Sequence, residues 1–239
     1  MSTEIRTDSK ILGDRLSHLF GTGPFGKFRD YLNLMESYLQ QELEKHNESL
    51  NEKELEEYSK TAGEHHREYM QFLVEEHFKE KTVLAFDFPH SFRSSLVIQI
   101  FSFLEFELKN ICKYHSSFNN SDFSITDLKG NSDVEKAKIY LTKGAKIDFK
   151  QLNPEWPFID CVRIIRNLLV HHQGIIVADN PDFLKIKEFA ENNDLELRKN
   201  VSNDVKNNFD LIIPNKKMPE GLIKNGNSFI DKILEKLNI

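Results

Sequence analysis

The chain has 239 residues, 38 of them acidic and 32 basic, for a formal net charge of −6. Apolar residues make up 39% and charged residues 29%, with 19 Phe against 10 Gly and 7 Pro, which excludes the disordered, collagenous and low-complexity classes and suits an ordered domain with a sizeable core. The charge is uneven: Glu42 to Glu80 holds 12 acidic and 5 basic residues, so the remainder is near neutral and the low overall pI does not veto a nucleic-acid partner, though it argues against a sequence-blind phosphate binder.

The opening MSTEIRTDSK lacks the apolar run of a signal peptide, and the greasiest stretch, Ser95 to Leu108, is interrupted by Gln99, Glu105 and Glu107. Neither secretion nor a membrane span is expected. Cys112 and Cys161 each sit among apolar residues and read as small buried thiols. That usage fits a reducing cytoplasm and leaves no cysteine cluster for a metal.

Residues 1–24 end in the turn formers of GTGPFG (Gly21 to Gly26), which should interrupt any helix, and read as a flexible leader. Residues 25–85 read as an N-terminal charged helical hairpin or arm. Its two long helices run from Lys27 to about His46 and from Leu50 to about Lys81, parted near Asn47 to Asn51. Residues 86–239 read as a helical domain. Asp87-Phe88-Pro89-His90-Ser91 is expected to be a break, followed by a Phe-, Ile- and Leu-rich helix from Phe92 to Tyr114 that belongs at the centre of the core. His115 to Ser124 reads as a loop, and Ser132 to about Thr142 as a shorter helix.

Asn153-Pro154-Glu155-Trp156-Pro157 opens a helix from about Trp156 to His172, closed by Gly174. Asp179 to Asn193 is expected to be another helix, capped by Asp179 or Asn180. Leu195 to Asn200 and Phe209 to Pro214 alternate as two short strands of a hairpin, and a last helix runs from about Pro219 to Leu237. The fold class is therefore mainly α, a helical bundle with a short β-hairpin near the C-terminus.

One helix carries chemistry. At ~100° per residue, Asp160, Arg163, Arg166, Asn167 and His171 share one arc, while Cys161, Ile164, Leu168 and His172 fall on the opposite, apolar arc. A cation, an amide and an imidazole are thereby gathered on one face. As a bare pattern, an Arg followed by a His a turn later is common. Its context is more specific: a solvated face more usually carries Lys and Glu, and this helix has neither after Glu155.

RNLLVHHQG (Arg166 to Gly174) resembles the active motif of HEPN domains, the higher eukaryotes and prokaryotes nucleotide-binding superfamily, in which an Arg, a following polar residue and a His four to six residues after the Arg form a ribonuclease site. SFRSSLVIQIFSFLEFELKNIC (Ser91 to Cys112) is similar to the Phe-rich helix that precedes it, with Glu105 at a recurrent acidic position. The later helix, the two strands and the closing helix also match, so the likeness covers about Phe86 to Ile239. It implies a HEPN-like bundle that forms a homodimer with the motif helices face to face, giving a composite, metal-independent endoribonuclease that needs no cofactor.

On that resemblance His171 is the acid or base, Arg166 meets the charge on the phosphorane, and Asn167 orients the imidazole or the phosphate. The products would be a 2′,3′-cyclic phosphate and a 5′-hydroxyl, and DNA would be spared. The partners implied are RNA, a second copy, and an antitoxin or regulatory protein, with no membrane, in a toxin or host-defence setting. The alternative is a non-catalytic HEPN-fold module that binds RNA, a nucleotide or a partner protein. Gln173 stands where related toxins carry a tyrosine that a partner modifies, so control by adenylylation there is not expected.

Other residues read more plainly. His172, on the apolar arc, is expected to be a satisfied helix-end histidine. Glu105 shares an apolar stripe with Phe101, Leu108 and Cys112, so it either pairs with Arg166 or Arg163 or reaches solvent at an interface. Asp160 is expected to pair with Arg163 across one turn. His65, His66 and His77 with Glu64 and Glu68 invite a metal reading, but they lack the His-Glu-x-x-His pattern and read as a solvated arm. Lys136, Lys138, Lys143, Lys146 and Lys150 form a modestly basic run, either a guide for a nucleic-acid backbone or ordinary surface.

Overall fold

The computed structural model describes residues 22–49, 60, 63–119, 121, 123–130, 132–200 and 207–238. The expected leader lies outside the described residues, apart from its last three. The protein is mainly helical with a small antiparallel sheet near the C-terminus. In chain order come α1 (Thr22–Ser49), α2 (Glu64–Thr82), a π-helical turn (Val83–Asp87), α3 (Phe88–Phe118), α4 (Asp133–Lys143), α5 (Glu155–His171), β1 (Ile175–Val177), α6 (Phe183–Asn192), β2 (Glu196–Lys199), β3 (Asn208–Ile212) and α7 (Lys217–Leu237). Among the described residues no helix is long and apolar enough to cross a membrane.

Two expected interruptions are absent. GTGPFG does not stop a helix: α1 begins at Thr22, which puts Pro24 in the first turn, where a missing N–H costs nothing. The expected break at Asp87 to Ser91 is also helical. The Phe88 N–H bonds to the Val83 carbonyl in a π pattern and Pro89 enters at the start of α3, so α2 and α3 run on through the π turn. Widening the turn by one residue accommodates a ring that cannot donate and would clash with a carbonyl of the preceding turn.

The core forms along α3, where Leu96, Val97, Ile100, Phe101, Leu104, Leu108, Ile111 and Cys112 are buried. Across it lie Val162, Ile165 and Leu168 of α5 and Leu222, Phe229, Ile230 and Ile233 of α7. Each such side chain contributes roughly 1.5–3 kcal/mol of transfer free energy. The base of α1 joins this same core through Phe25 and Leu32. Gly226 of α7 permits it: a Cβ there would meet the Phe25 ring at 3.0 Å. Both cysteines are free and buried, and burial pushes the Cys112 thiol far up.

Arg93 of α3 ties three segments together. It donates to both carboxylate oxygens of Glu36 on α1 at 2.7 Å, and to the Pro214 carbonyl after β3 at 2.7 Å. Beside it the His90 Nδ1 accepts the Ile213 N–H at 3.1 Å.

The sheet has the order β1-β3-β2 with both pairs antiparallel, in register Ile176 opposite Phe209 and Leu197 opposite Leu211. β2 and β3 are the expected hairpin. β1 was not expected: three residues are too few to show an alternating pattern. α6 starts at Phe183, later than expected, because the Asn180 Oδ1 accepts the Asp182 N–H at 2.8 Å and closes a local turn instead of capping a helix.

Candidate active site

Arg166, Asn167 and His171 of α5 come together with Glu105 of α3 around one open cleft of about 570 Å³. α4 supplies its other wall, with Ser132, Asp133 and Lys136, and Arg163 and His172 complete the lining. Ser132 is there because it caps α4, accepting the Glu135 N–H at 3.2 Å. Across the cleft, Glu135 of α4 stands 3.4 Å from Arg163 of α5. The sequence gives this wall no signal beyond the cap, because it is assembled by tertiary packing.

The two arginines have different surroundings. Arg163 is held by Asp160, 3.1 Å from its Nε, as expected, and also by Glu135 at 3.4 Å. Lys185 of α6 reaches the other Asp160 oxygen at 2.5 Å. Arg166 has fewer partners among the described residues: its Nη1 donates to the Asn167 Oδ1 at 3.2 Å, its Nη2 stands 4.0 Å from the Glu105 carboxylate, and its buried Nε has no hydrogen-bond partner there. Glu105 therefore faces Arg166, and Arg163 is committed elsewhere.

Burial pushes the Glu105 carboxyl above its usual range; the Arg166 charge pulls against this, while Asp133 adds to it. Asp133 itself is held below the usual range by Lys109, which donates to it at 2.8 Å. The cleft thus contains one guanidinium, that of Arg166, with few partners among the described residues, flanked by carboxylates that hold the neighbouring cations in place. Such a setting suits a phosphate oxygen that brings its own negative charge.

His172 is not on the apolar side. It is exposed and lines the cleft beside His171. The wheel fails because α5 ends at His171: His172 has φ −128 and ψ 14, and Gln173 and Gly174 follow at φ 52 and 79. A periodicity extrapolated past the end of its helix places the side chain wrongly.

The solvated-arm reading also fails for His77, which is buried at 4% exposure and stacked on His46 with ring centroids 4.2 Å apart. The side chains of Glu64, His65 and His66 lie outside the described residues, and Glu68 is exposed. Among the described residues no three His, Cys, Asp or Glu gather as a metal site. In the basic run, Lys136 lines the cleft, Lys138 sits over the Trp156 ring at 4.4 Å, and Lys143, Lys146 and Lys150 are exposed away from the cleft lining.

Fold and cleft together define a mainly α protein with an Arg, Asn and His triplet opening on a polar groove. No protein-family model matches this chain, and neither does any curated protein or solved structure.

Proposed function

We propose that this protein is a metal-independent endoribonuclease acting at the Arg166 cleft. One observation carries the reading: Arg166, Asn167 and His171 of the HEPN-like motif line one open groove with Glu105 facing the guanidinium at 4.0 Å. Cleavage starts when an imidazole takes the ribose 2′-hydroxyl proton and the oxygen attacks the adjacent phosphorus. A second imidazole protonates the departing 5′-oxygen, leaving a 2′,3′-cyclic phosphate and a 5′-hydroxyl. Arg166 stabilises the charge on the equatorial oxygens through its paired donors.

Asn167 and Glu105 are positioning residues in this scheme. Asn167 accepts from Arg166, so it orients the guanidinium, and Glu105 does the same from α3. On the HEPN resemblance the second imidazole comes from a second copy across a dyad, with the two α5 helices face to face. Val170, 43% exposed on the same helix, gives such a copy an apolar contact. The resemblance also supplies the biological setting, a cytoplasmic toxin or host-defence effector with its own regulatory partner.

The test is cleavage of a mixed RNA in EDTA by the wild type, Arg166→Ala and His171→Ala. Each variant should lose about 100-fold or more in rate, with wild-type activity retained in chelator. A wild type that binds RNA and leaves it intact favours the non-catalytic module; one that neither binds nor cuts removes the nucleic-acid reading.

A further inference from the structure

A ribonuclease of this kind needs two proton-transfer groups, and the HEPN resemblance assigns one histidine, His171, to each chain, although His172, six residues after Arg166, also falls within the motif's spacing. The structure shows two. His171 is the last residue of α5 and His172 the first beyond it, and both open on the same cleft as Arg166. We infer that His172 supplies the second imidazole, so that a single chain holds a complete acid–base pair around one guanidinium. The inference rests on the ribonuclease reading and changes the source of the second histidine within it.

Three features support a built position for His172 over an incidental surface residue. Its backbone is fixed from both sides: its N–H bonds to the Leu168 carbonyl at 2.9 Å, and its own carbonyl accepts the Ile175 N–H at 2.8 Å where β1 begins. The following reversal is held by the Gly174 N–H, which reaches the same Leu168 carbonyl at 3.0 Å. Gly174 has φ 79, a conformation open to glycine at little steric cost. The end of α5 is therefore a rigid corner, and rigid corners hold reacting groups in place better than loops. Thirdly, the helix termination turns His172 off the apolar arc and into the groove.

The chemistry balances without a further reactant. One imidazole accepts the 2′-hydroxyl proton as the O2′–P bond forms, and the other, entering as imidazolium, gives its proton to O5′ as the P–O5′ bond breaks. The two histidines leave with exchanged protonation states, which proton exchange with water restores. Arg166 stays protonated throughout.

The experiment uses the full chain, with RNA and a nucleoside 3′-(4-nitrophenyl phosphate) as substrates, and a thermal melt to confirm that variants fold. His172→Ala should melt like the wild type and lose about 100-fold or more in RNA cleavage, with one limb of the pH–rate profile gone. With the nitrophenyl ester the leaving group departs without a proton, so one of His171→Ala and His172→Ala should regain activity and the other should not. Mixing these two variants should restore nothing, because each chain lacks part of its own pair. The inference is overturned if His172→Ala cleaves RNA within about threefold of the wild type, if the ester rescues both variants or neither, or if mixing restores activity. An inactive wild type overturns the ribonuclease reading itself, which distinguishes the two failures.

Discussion

Arg93 and Arg166 carry the same side chain in opposite surroundings. All three Arg93 nitrogens donate: two to the Glu36 carboxylate at 2.7 Å each, the third to the Pro214 carbonyl at 2.7 Å. Among the described residues Arg166 makes one hydrogen bond, to Asn167 at 3.2 Å, and sees its carboxylate only at 4.0 Å. A guanidinium saturated by the protein can only hold the protein together, whereas one left with few partners, at the edge of a groove, has binding capacity for something else. The difference lies in the partners each residue meets, since both sit on long helices that help form the core.

The sharpest way to break this contrast is to remove each arginine and measure stability in urea. Arg93→Ala should cost roughly 3 kcal/mol, because it strands a partly buried Glu36 and a backbone carbonyl. Arg166→Ala should cost under roughly 1 kcal/mol, since its ion pair is loose and partly exposed. Equal losses in the two variants would dissolve the distinction.

A buried carboxyl oxygen without a partner sharpens the scale. Glu107, 5% exposed, has a buried Oε2 with no hydrogen-bond partner among the described residues, and burial pushes its carboxyl up to about 7. A carboxyl raised in the folded state destabilises as pH rises from its unfolded value to its folded one. Glu107→Gln should therefore be more stable than the wild type at pH 8, by roughly 2–3 kcal/mol, and no more stable at pH 4. No gain at pH 8 would show that Glu107 finds a partner in solution.

The smallest effect belongs to His90, next to Arg93. Burial lowers its pKa below 6.5, Arg93 and Arg198 lower it further, and Asp87 opposes them. The neutral ring accepts the Ile213 N–H. Its contribution is complete above pH 6.5 and is lost as pH falls toward the lowered folded value, because the unfolded chain takes up the proton first. His90→Gln, which can still accept a hydrogen bond without titrating, should show a flatter fall in urea midpoint between pH 6.5 and 5. An unchanged slope would separate His90 from the Arg93 clamp.

Much of this was legible in the sequence where one helix face sufficed. The Phe-rich α3, the polar arc of α5 and the closing helix follow from periodicity, and Arg166, Asn167, His171 and Glu105, to which the sequence points, line one cleft. What was not legible depended on helix ends and on neighbours. Pro24 and Pro89 read as breakers because a proline in a first turn or after a π turn looks the same in sequence as one that stops a helix. His172 leaves the apolar arc because α5 ends one residue before it, and Asp133 and Lys136 reach the cleft only through the docking of α4.

The Arg93 clamp also orders the making of the molecule. A chain growing from its N-terminus holds Glu36 and Arg93 well before it contains Ile213 and Pro214, which lie 120 and 121 residues beyond Arg93. Contacts of such long sequence separation form late. The clamp is complete only once Pro214 has been made, and the Phe25 ring of α1 likewise packs against Gly226 of α7, so a truncation upstream of β3 would forfeit anchorage at the opposite end.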